Sequence, residues 1–251
     1  RRRGRAGGRR GAAAAAGRGG RLRGGGWPRR HDAVARAAVA APRLRLVGVA
    51  GYEAAGGHAV TADALDVVTG YLRDLRDAVV RLAGLFESDE VMVTAGGSTY
   101  FDLVADVLTG GWPDGLTVRT VIRSGCYLTH DDGLYRRTSP LGRTSDGALE
   151  AALSVWAQVV SRPEPGLALL TMGRRDVSFD QDLPVPYGMS GAVTKLNDQH
   201  AYLRLDAADH AEVGDWVQFG ISHPCTVFDK WPVIPVVDEQ NRVVDLIRTF
   251  F

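Results

Sequence analysis

The chain has 251 residues, 45% of them hydrophobic, enough to bury a substantial core in one large domain or two smaller ones. No apolar run approaches the roughly 20 residues of a membrane-spanning helix, which excludes a helical membrane protein. The net charge of +1 hides an asymmetry: residues 1–30 hold eleven arginines and no acid, leaving nineteen basic against 29 acidic residues after them. A body that acidic argues against nucleic acid as its main partner.

Residues 1–30, "RRRGRAGGRRGAAAAAGRGGRLRGGGWPRR", have no apolar period from which to build a core, and composition predicts a disordered tail. An arginine-rich RNA-binding segment is one reading of it. A frame-shifted start in GC-rich DNA is the other, favoured by a body that uses arginine throughout and has only Lys195 and Lys230. From His31 the pattern turns protein-like. "HDAVARAAVAA" reads as a helix closed by Pro42, and "LRLVGVAGYE" as a buried strand ending in glycine and polar residues. "TADALDVVTGYLRDLRDAVVRLAGLF" carries apolar residues at helical spacing, and "EVMVTAGGSTYFDLVADVL" reads strand, glycine turn, helix. "LTVRTVIRSGCYLTHD" predicts a further strand and loop, and "DGALEAALSVWAQVV" a further helix. Such alternation predicts parallel strands with crossover helices over residues 31–163, with ligands held at the strand C-terminal ends.

After Pro163 the stretches "GLALLTMGRRDVSF", "AVTKLNDQHAYLRL", "GDWVQFGI", "WPVIPVV" and "RVVDLIRTFF" predict short strands and an all-β part over residues 164–251. The fold class expected is therefore α/β, part of a (β/α) barrel followed by a C-terminal β-domain. Two cysteines in a chain of this length point to a reducing compartment and a cytoplasmic location.

Chemistry concentrates in three places. In "TAGGSTYFD", Gly96, Gly97, Ser98 and Thr99 sit between a strand and a helix, where backbone N–H groups and hydroxyls can hold a phosphate; a capped turn is the plainer reading. "RSGCYLTHDD" brings Gly125 and Cys126 to the end of the next strand, so two such loops at neighbouring strand ends favour a phosphate cradle. In "ISHPCTVFDKW", His223 and Cys225 offer an imidazole and a thiolate two apart, which in a strand share one face. Two buried side chains are the alternative. His200 is a possible neighbour, and Asp180 and Asp182 read as turn residues.

The ordered set "GVAGYE", "TAGGSTYFD", "RSGCYLTHD", "GRRDVSFD", "LNDQHAYL" and "GDWVQFGISHPC" resembles the D-serine dehydratase and D-threonine aldolase family of alanine-racemase-type PLP enzymes, from about residue 32 onward. The resemblance implies that Gly97, Ser98, Thr99, Gly125 and Cys126 hold the pyridoxal 5'-phosphate (PLP) phosphate, and that His223 and Cys225 bind a metal. It also implies a small D-amino-acid substrate and a homodimer. Dehydratases of the family resemble His-x-Cys, which suits zinc, and aldolases resemble His-x-Asp, which suits manganese. Cys225 thus favours a zinc-dependent D-serine dehydratase yielding pyruvate and ammonia. A D-threonine aldolase-like lyase and a non-catalytic, metal-binding remnant are the alternatives. One departure stands out: the family's Schiff-base lysine lies on the first barrel strand, and residues 1–31 contain no lysine. The expectation is an N-terminally incomplete chain with no catalytic lysine of its own.

Overall fold

The computed structural model describes residues 10–15, 27–143 and 147–250. The remainder of the arginine-rich tail, residues 1–9 and 16–26, lies outside them. The chain divides into two compact units, residues 1–125 and 126–251.

The first unit is a parallel sheet, β1 (Arg10–Ala15), β2 (Leu44–Ala50), β3 (Val91–Ala95) and β4 (Val118–Ile122), in that spatial order. Helices α1 (Trp27–Ala40), α2 (Ala62–Arg81) and α3 (Phe101–Leu108) connect the strands. Strand β1 is a departure from sequence expectation, because it falls within the tail read as disordered. Composition misses it because the pairing of residues 10–15 with residues 44–50 uses backbone N–H and C=O groups, which no apolar pattern announces. Likewise α1 starts at Trp27, four residues before the texture of the sequence changes.

Helix α2 shows how sequence dictates packing. Val68, Tyr71, Leu72, Leu75, Ala78 and Val79 recur every three or four residues and are all buried, forming one stripe against the sheet core of Leu46, Val49, Val91 and Val93. Thr61 caps the helix by accepting from the Ala64 N–H at 3.4 Å, and Asp63 and Arg81 complement the dipole at its two ends. Between β2 and β3 the backbones approach so closely that any side chain at Gly48 would collide with the Met92 carbonyl.

The second unit carries α4 (Leu134–Thr138) and α5 (Pro140–Arg143) and continues as a six-stranded sheet. Its strands are β5 (Ser154–Glu164), β6 (Leu167–Leu170), β7 (Val185–Pro186), β8 (Ala192–Leu196), β9 (Ala201–Arg204) and β10 (Trp216–Gly220). Their order is β7-β10-β5-β6-β9-β8, and the terminal strands β7 and β8 touch, so the sheet is nearly closed. Ala157, Val159, Leu170, Leu203, Phe219 and Ile221 fill its interior. Strands β11 (Val233–Val237) and β12 (Val243–Arg248) form a separate antiparallel pair.

The helix expected over residues 146–160 does not form among its described residues. Residues 147–153 are irregular and Ser154 begins β5, where Ala157 and Val159 point inward while Trp156 and Val160 stay exposed. The alanines of "DGALEAAL" favour helix, but two neighbouring strands, β10 and β6, supply cross-strand partners that override local propensity. The change from helical to all-β texture at Pro163 therefore does not coincide with the division between the compact units, which falls at Gly125. Among the described residues no helix is long and apolar enough to cross a membrane.

Candidate functional site

In the first unit, the turn from β3 to α3 is built around a buried acid. Gly96 adopts φ +103°, a left-handed conformation that glycine tolerates, and so turns the chain sharply off the strand. The Glu53 carboxylate, 3% exposed, accepts the N–H of Gly96 at 3.0 Å and of Gly97 at 2.5 Å. Ser124 donates to the Gly96 carbonyl at 3.1 Å. Ser98 and Thr99 are buried beside this turn, and the Thr99 hydroxyl lies 2.9 Å from His58 Nδ1. The Gly96 and Gly97 amides of this turn are thus both taken by the Glu53 carboxylate. Of the loop read as a phosphate cradle, the Gly97 amide therefore serves Glu53, and Ser98 and Thr99 lie buried beside it. Glu53 was not anticipated from sequence, although "GYEAAGG" sets one acid among small residues at a strand end.

In the second unit, two loops are stitched together by one carboxylate. Asp131, 1% exposed, accepts with Oδ1 from the N–H of Gly133 (3.0 Å), Tyr135 (2.8 Å) and Arg136 (3.3 Å). Its Oδ2 accepts from the His223 N–H at 2.7 Å. The Asp132 N–H donates to the Ile221 carbonyl at 2.9 Å, and the Leu134 N–H to the Ser222 hydroxyl at 3.0 Å. Ser222 in turn donates to Asp182 at 3.0 Å, which also takes Arg137 at 2.8 Å.

His223 and Cys225 do not lie on a strand. Strand β10 ends at Gly220, His223 adopts a left-handed conformation (φ 56°, ψ 74°), and Pro224–Thr226 form one turn of 3-10 helix. The shared strand face argued from spacing is thus absent; a turn starting with proline separates the two residues instead. Left-handed backbone at a non-glycine residue costs ~1–3 kcal/mol, and the Asp131 carboxylate on the His223 N–H holds it in place. His223 Nδ1 is 2.6 Å from Asp180 Oδ2, and its ring meets Tyr135 edge-on, with centroids 6.2 Å apart. A carboxylate on Nδ1 fixes the tautomer and aims Nε2 outward, the arrangement typical of metal-binding histidines. Asp180 is therefore more than a turn residue.

Cys225 is exposed, and its Sγ lies 2.9 Å from Sγ of buried Cys126. The neighbouring Cys126 thiol and then burial push the Cys225 thiol well above the usual thiol range. Cys126 and Gly125 share the short 3-10 turn Gly125–Leu128, and the Cys126 side chain is turned to Cys225. Among the described residues no group of three His, Cys, Asp or Glu side chains converges as a ready-made metal cluster. His200 sits in the β8–β9 hairpin turn, its carbonyl accepting from the Asn197 N–H at 2.8 Å.

Beside these loops lies a cavity of about 330 Å³ lined by His130, Asp131, Asp132, Arg136, Glu150 and Tyr187 among others. Burial, followed by a 2.6 Å hydrogen bond to Asp132, holds the Tyr187 phenol well above its ordinary pKa. Burial also holds His130 below the usual histidine range, so its neutral form is favoured.

Residues 152–237, which include Asp180, His223 and Cys225, match the family model described as "Putative serine dehydratase domain". The 3-hydroxy-D-aspartate aldolase of Paracoccus denitrificans (strain Pd 1222) is 26% identical over 203 residues, covering 78% of this chain and 49% of that protein. The crystal structure of D-threonine aldolase from Filomicrobium marinum superposes with a TM-score of 0.70 at 20% identity, over 95% of this chain and 61% of that one. D-threo-3-hydroxyaspartate dehydratase from Delftia sp. HT23 gives 0.55 at 21% identity, over 88% and 58%. The chain thus spans about half the length of its curated relative. The resemblance read from the ordered motifs holds at the level of fold: this chain has the alanine-racemase-type fold, and its residues 152–237 match the model of the putative serine dehydratase domain.

Proposed function

We propose that this protein acts as a PLP-dependent lyase on a D-configured β-hydroxy amino acid, with D-serine as substrate and zinc held by His223 and Cys225. The observation that carries the reading is the pairing of His223 Nδ1 with Asp180 at 2.6 Å, which leaves Nε2 as the ring nitrogen for a ligand, on the residue two positions before Cys225. An imidazole and a thiolate together suit zinc better than a harder ion. Two variants of the Delftia dehydratase fit it, since they place a histidine and a cysteine at the same His-x-Cys spacing. The cysteine variant is a metal-free form, and the histidine variant replaces the residue two positions earlier.

Ser98 and Thr99 are the residues that would hold the PLP phosphate, with Glu53 keeping the turn in shape through Gly96 and Gly97. When bound, PLP supplies an electron sink for the carbanion formed at the substrate Cα, and the metal polarises the β-hydroxyl. Asp180 fixes the imidazole, and Asp131 fixes the backbone that carries it. Residues 1–125 contain no lysine, and Lys195 and Lys230 lie against the rings of Tyr202 and Phe179 in the second unit. A cytoplasmic setting suits a site that depends on a reduced cysteine.

The second reading is an aldolase, favoured by the similarity to two aldolases. Product analysis separates the two. With PLP and zinc supplied, D-serine yielding pyruvate and ammonia supports the dehydratase, whereas glycine and an aldehyde from D-threonine support the aldolase. No product from either substrate would overturn catalysis by this chain.

A further inference from the structure

The contact between Cys126 and Cys225 is not used by the reading above. We propose that these two residues form a redox-reactive dithiol, a modification site that exchanges with low-molecular-weight disulfides to close an intramolecular bond.

Three observations carry this. First, residues 99 apart in sequence place their sulfurs 2.9 Å from each other, while both remain thiols. Second, the turns bearing them are fastened to each other independently of the sulfurs. Asp131, five residues after Cys126, accepts the His223 N–H, and the Asp132–Ile221 and Leu134–Ser222 hydrogen bonds repeat that linkage. Closing the bond therefore costs little chain entropy, because the loop is already closed by the fold. Third, the two thiols differ in access: Cys225 is exposed and Cys126 is 8% exposed. That difference sets an order of events. The pair also does not have the spacing of two ligands on one zinc ion, since tetrahedral geometry with ~2.3 Å Zn–S bonds separates sulfurs by roughly 3.8 Å.

The chemistry balances with a small disulfide RSSR as oxidant. Cys225, the accessible thiol, loses its proton to solvent base, which its raised pKa makes slow at neutral pH and faster in alkaline buffer, and then attacks one sulfur of RSSR, forming a mixed disulfide and releasing RS⁻. The Cys126 thiolate then attacks the Cys225 sulfur, forming the Cys126–Cys225 bond and releasing a second RS⁻. Two protein thiols are oxidised, RSSR is reduced to two RSH, and the two protons pass to the released thiolates. If Cys225 binds zinc as proposed above, oxidation withdraws that ligand; this consequence rests on the metal reading, whereas the dithiol does not.

The test uses the full chain, without metal, incubated in glutathione buffers of increasing oxidation, quenched with acid, and analysed by intact mass and peptide mapping. The expected result is joint loss of both thiols, a peptide linking Cys126 to Cys225, and no retained glutathione. Cys126→Ser should instead stop at one glutathione on Cys225. Cys225→Ser should react at least tenfold more slowly. Persistence of both thiols in the wild type, or accumulation of glutathione on wild-type Cys225 as in Cys126→Ser, would overturn the proposal, and both readouts hold even if a variant misfolds. A parallel run with zinc separates the two ideas: protection by zinc supports the clamp, and unchanged oxidation refutes the clamp but leaves the dithiol standing.

Discussion

Replacing Asp131 removes the acceptor for four backbone donors at once, and the size of the effect follows from the geometry. The N–H groups of Gly133, Tyr135, Arg136 and His223 lie 2.7–3.3 Å from its carboxylate oxygens. Those of Gly133 and Tyr135 are buried and have no water to fall back on. A hydrogen bond to a charged group contributes ~1.5–3 kcal/mol, and an orphaned buried donor costs ~1–3 kcal/mol. With some relaxation, Asp131→Ala should lose about 3–5 kcal/mol, a large part of the ~5–15 kcal/mol available to a domain. Asp131→Asn separates the two halves of the effect. Its amide oxygen can still serve the α4 donors, but its NH₂ faces the His223 N–H, so about 1–3 kcal/mol should be lost, concentrated at His223. Urea unfolding followed by tryptophan fluorescence gives the totals, and amide hydrogen exchange reports which donors open. A loss below about 1 kcal/mol for Asp131→Ala, or unchanged exchange at Gly133 and Tyr135, would refute the assignment of Asp131 as the tie between the loops.

Four further outcomes are expected. Gly48→Ala forces a methyl into the Met92 carbonyl and should cost more than about 3 kcal/mol in thermal or urea unfolding, where Gly70→Ala on α2, with open space, should be neutral or stabilising. Glu53→Ala should orphan the Gly96 and Gly97 amides, destabilising the first unit by about 2–4 kcal/mol and weakening PLP retention in equilibrium dialysis. Asp180→Asn should cut zinc affinity about 10–100-fold without a matching loss of fold, as measured by competition against a chromogenic chelator. As for pH, His31 and His130 are both held below the ordinary histidine value, chiefly by burial. The unfolded chain then binds more protons below about pH 6.5, so stability should be full above that value and fall as pH drops through it. His130→Asn, which tolerates the left-handed backbone at that position, should flatten the slope; a midpoint that rises on acidification would contradict this.

Much of the fold was legible because strong local signals agreed with the tertiary result. In α2, the 3.6-residue stripe, the Thr61 cap and the terminal charges all point the same way. In β3–α3, the glycine run marks a turn that the structure uses. Local signals failed where tertiary pairing decided the outcome: β5 follows an alanine-rich, helix-favouring stretch, and β1 pairs through its backbone in a segment without any apolar pattern. The candidate site divides in the same way. His223 and Cys225 stood out by residue type, spacing and motif order, yet they lie on a turn and not on a strand, since β10 ends three residues earlier. Asp131 and Glu53 were not legible, because a buried carboxylate that serves backbone amides looks in sequence like any surface acid. The approach of Cys126 to Cys225 spans 99 residues and belongs wholly to the fold.

The most direct test of the account is a zinc titration of the metal-free, reduced chain alongside His223→Ala and Cys225→Ala. The account predicts one zinc ion per wild-type chain, a drop of at least a hundredfold in affinity in either variant, and far-UV spectra that match across all three. Zinc that binds equally well to both variants, or fails to bind the reduced wild type, would contradict it.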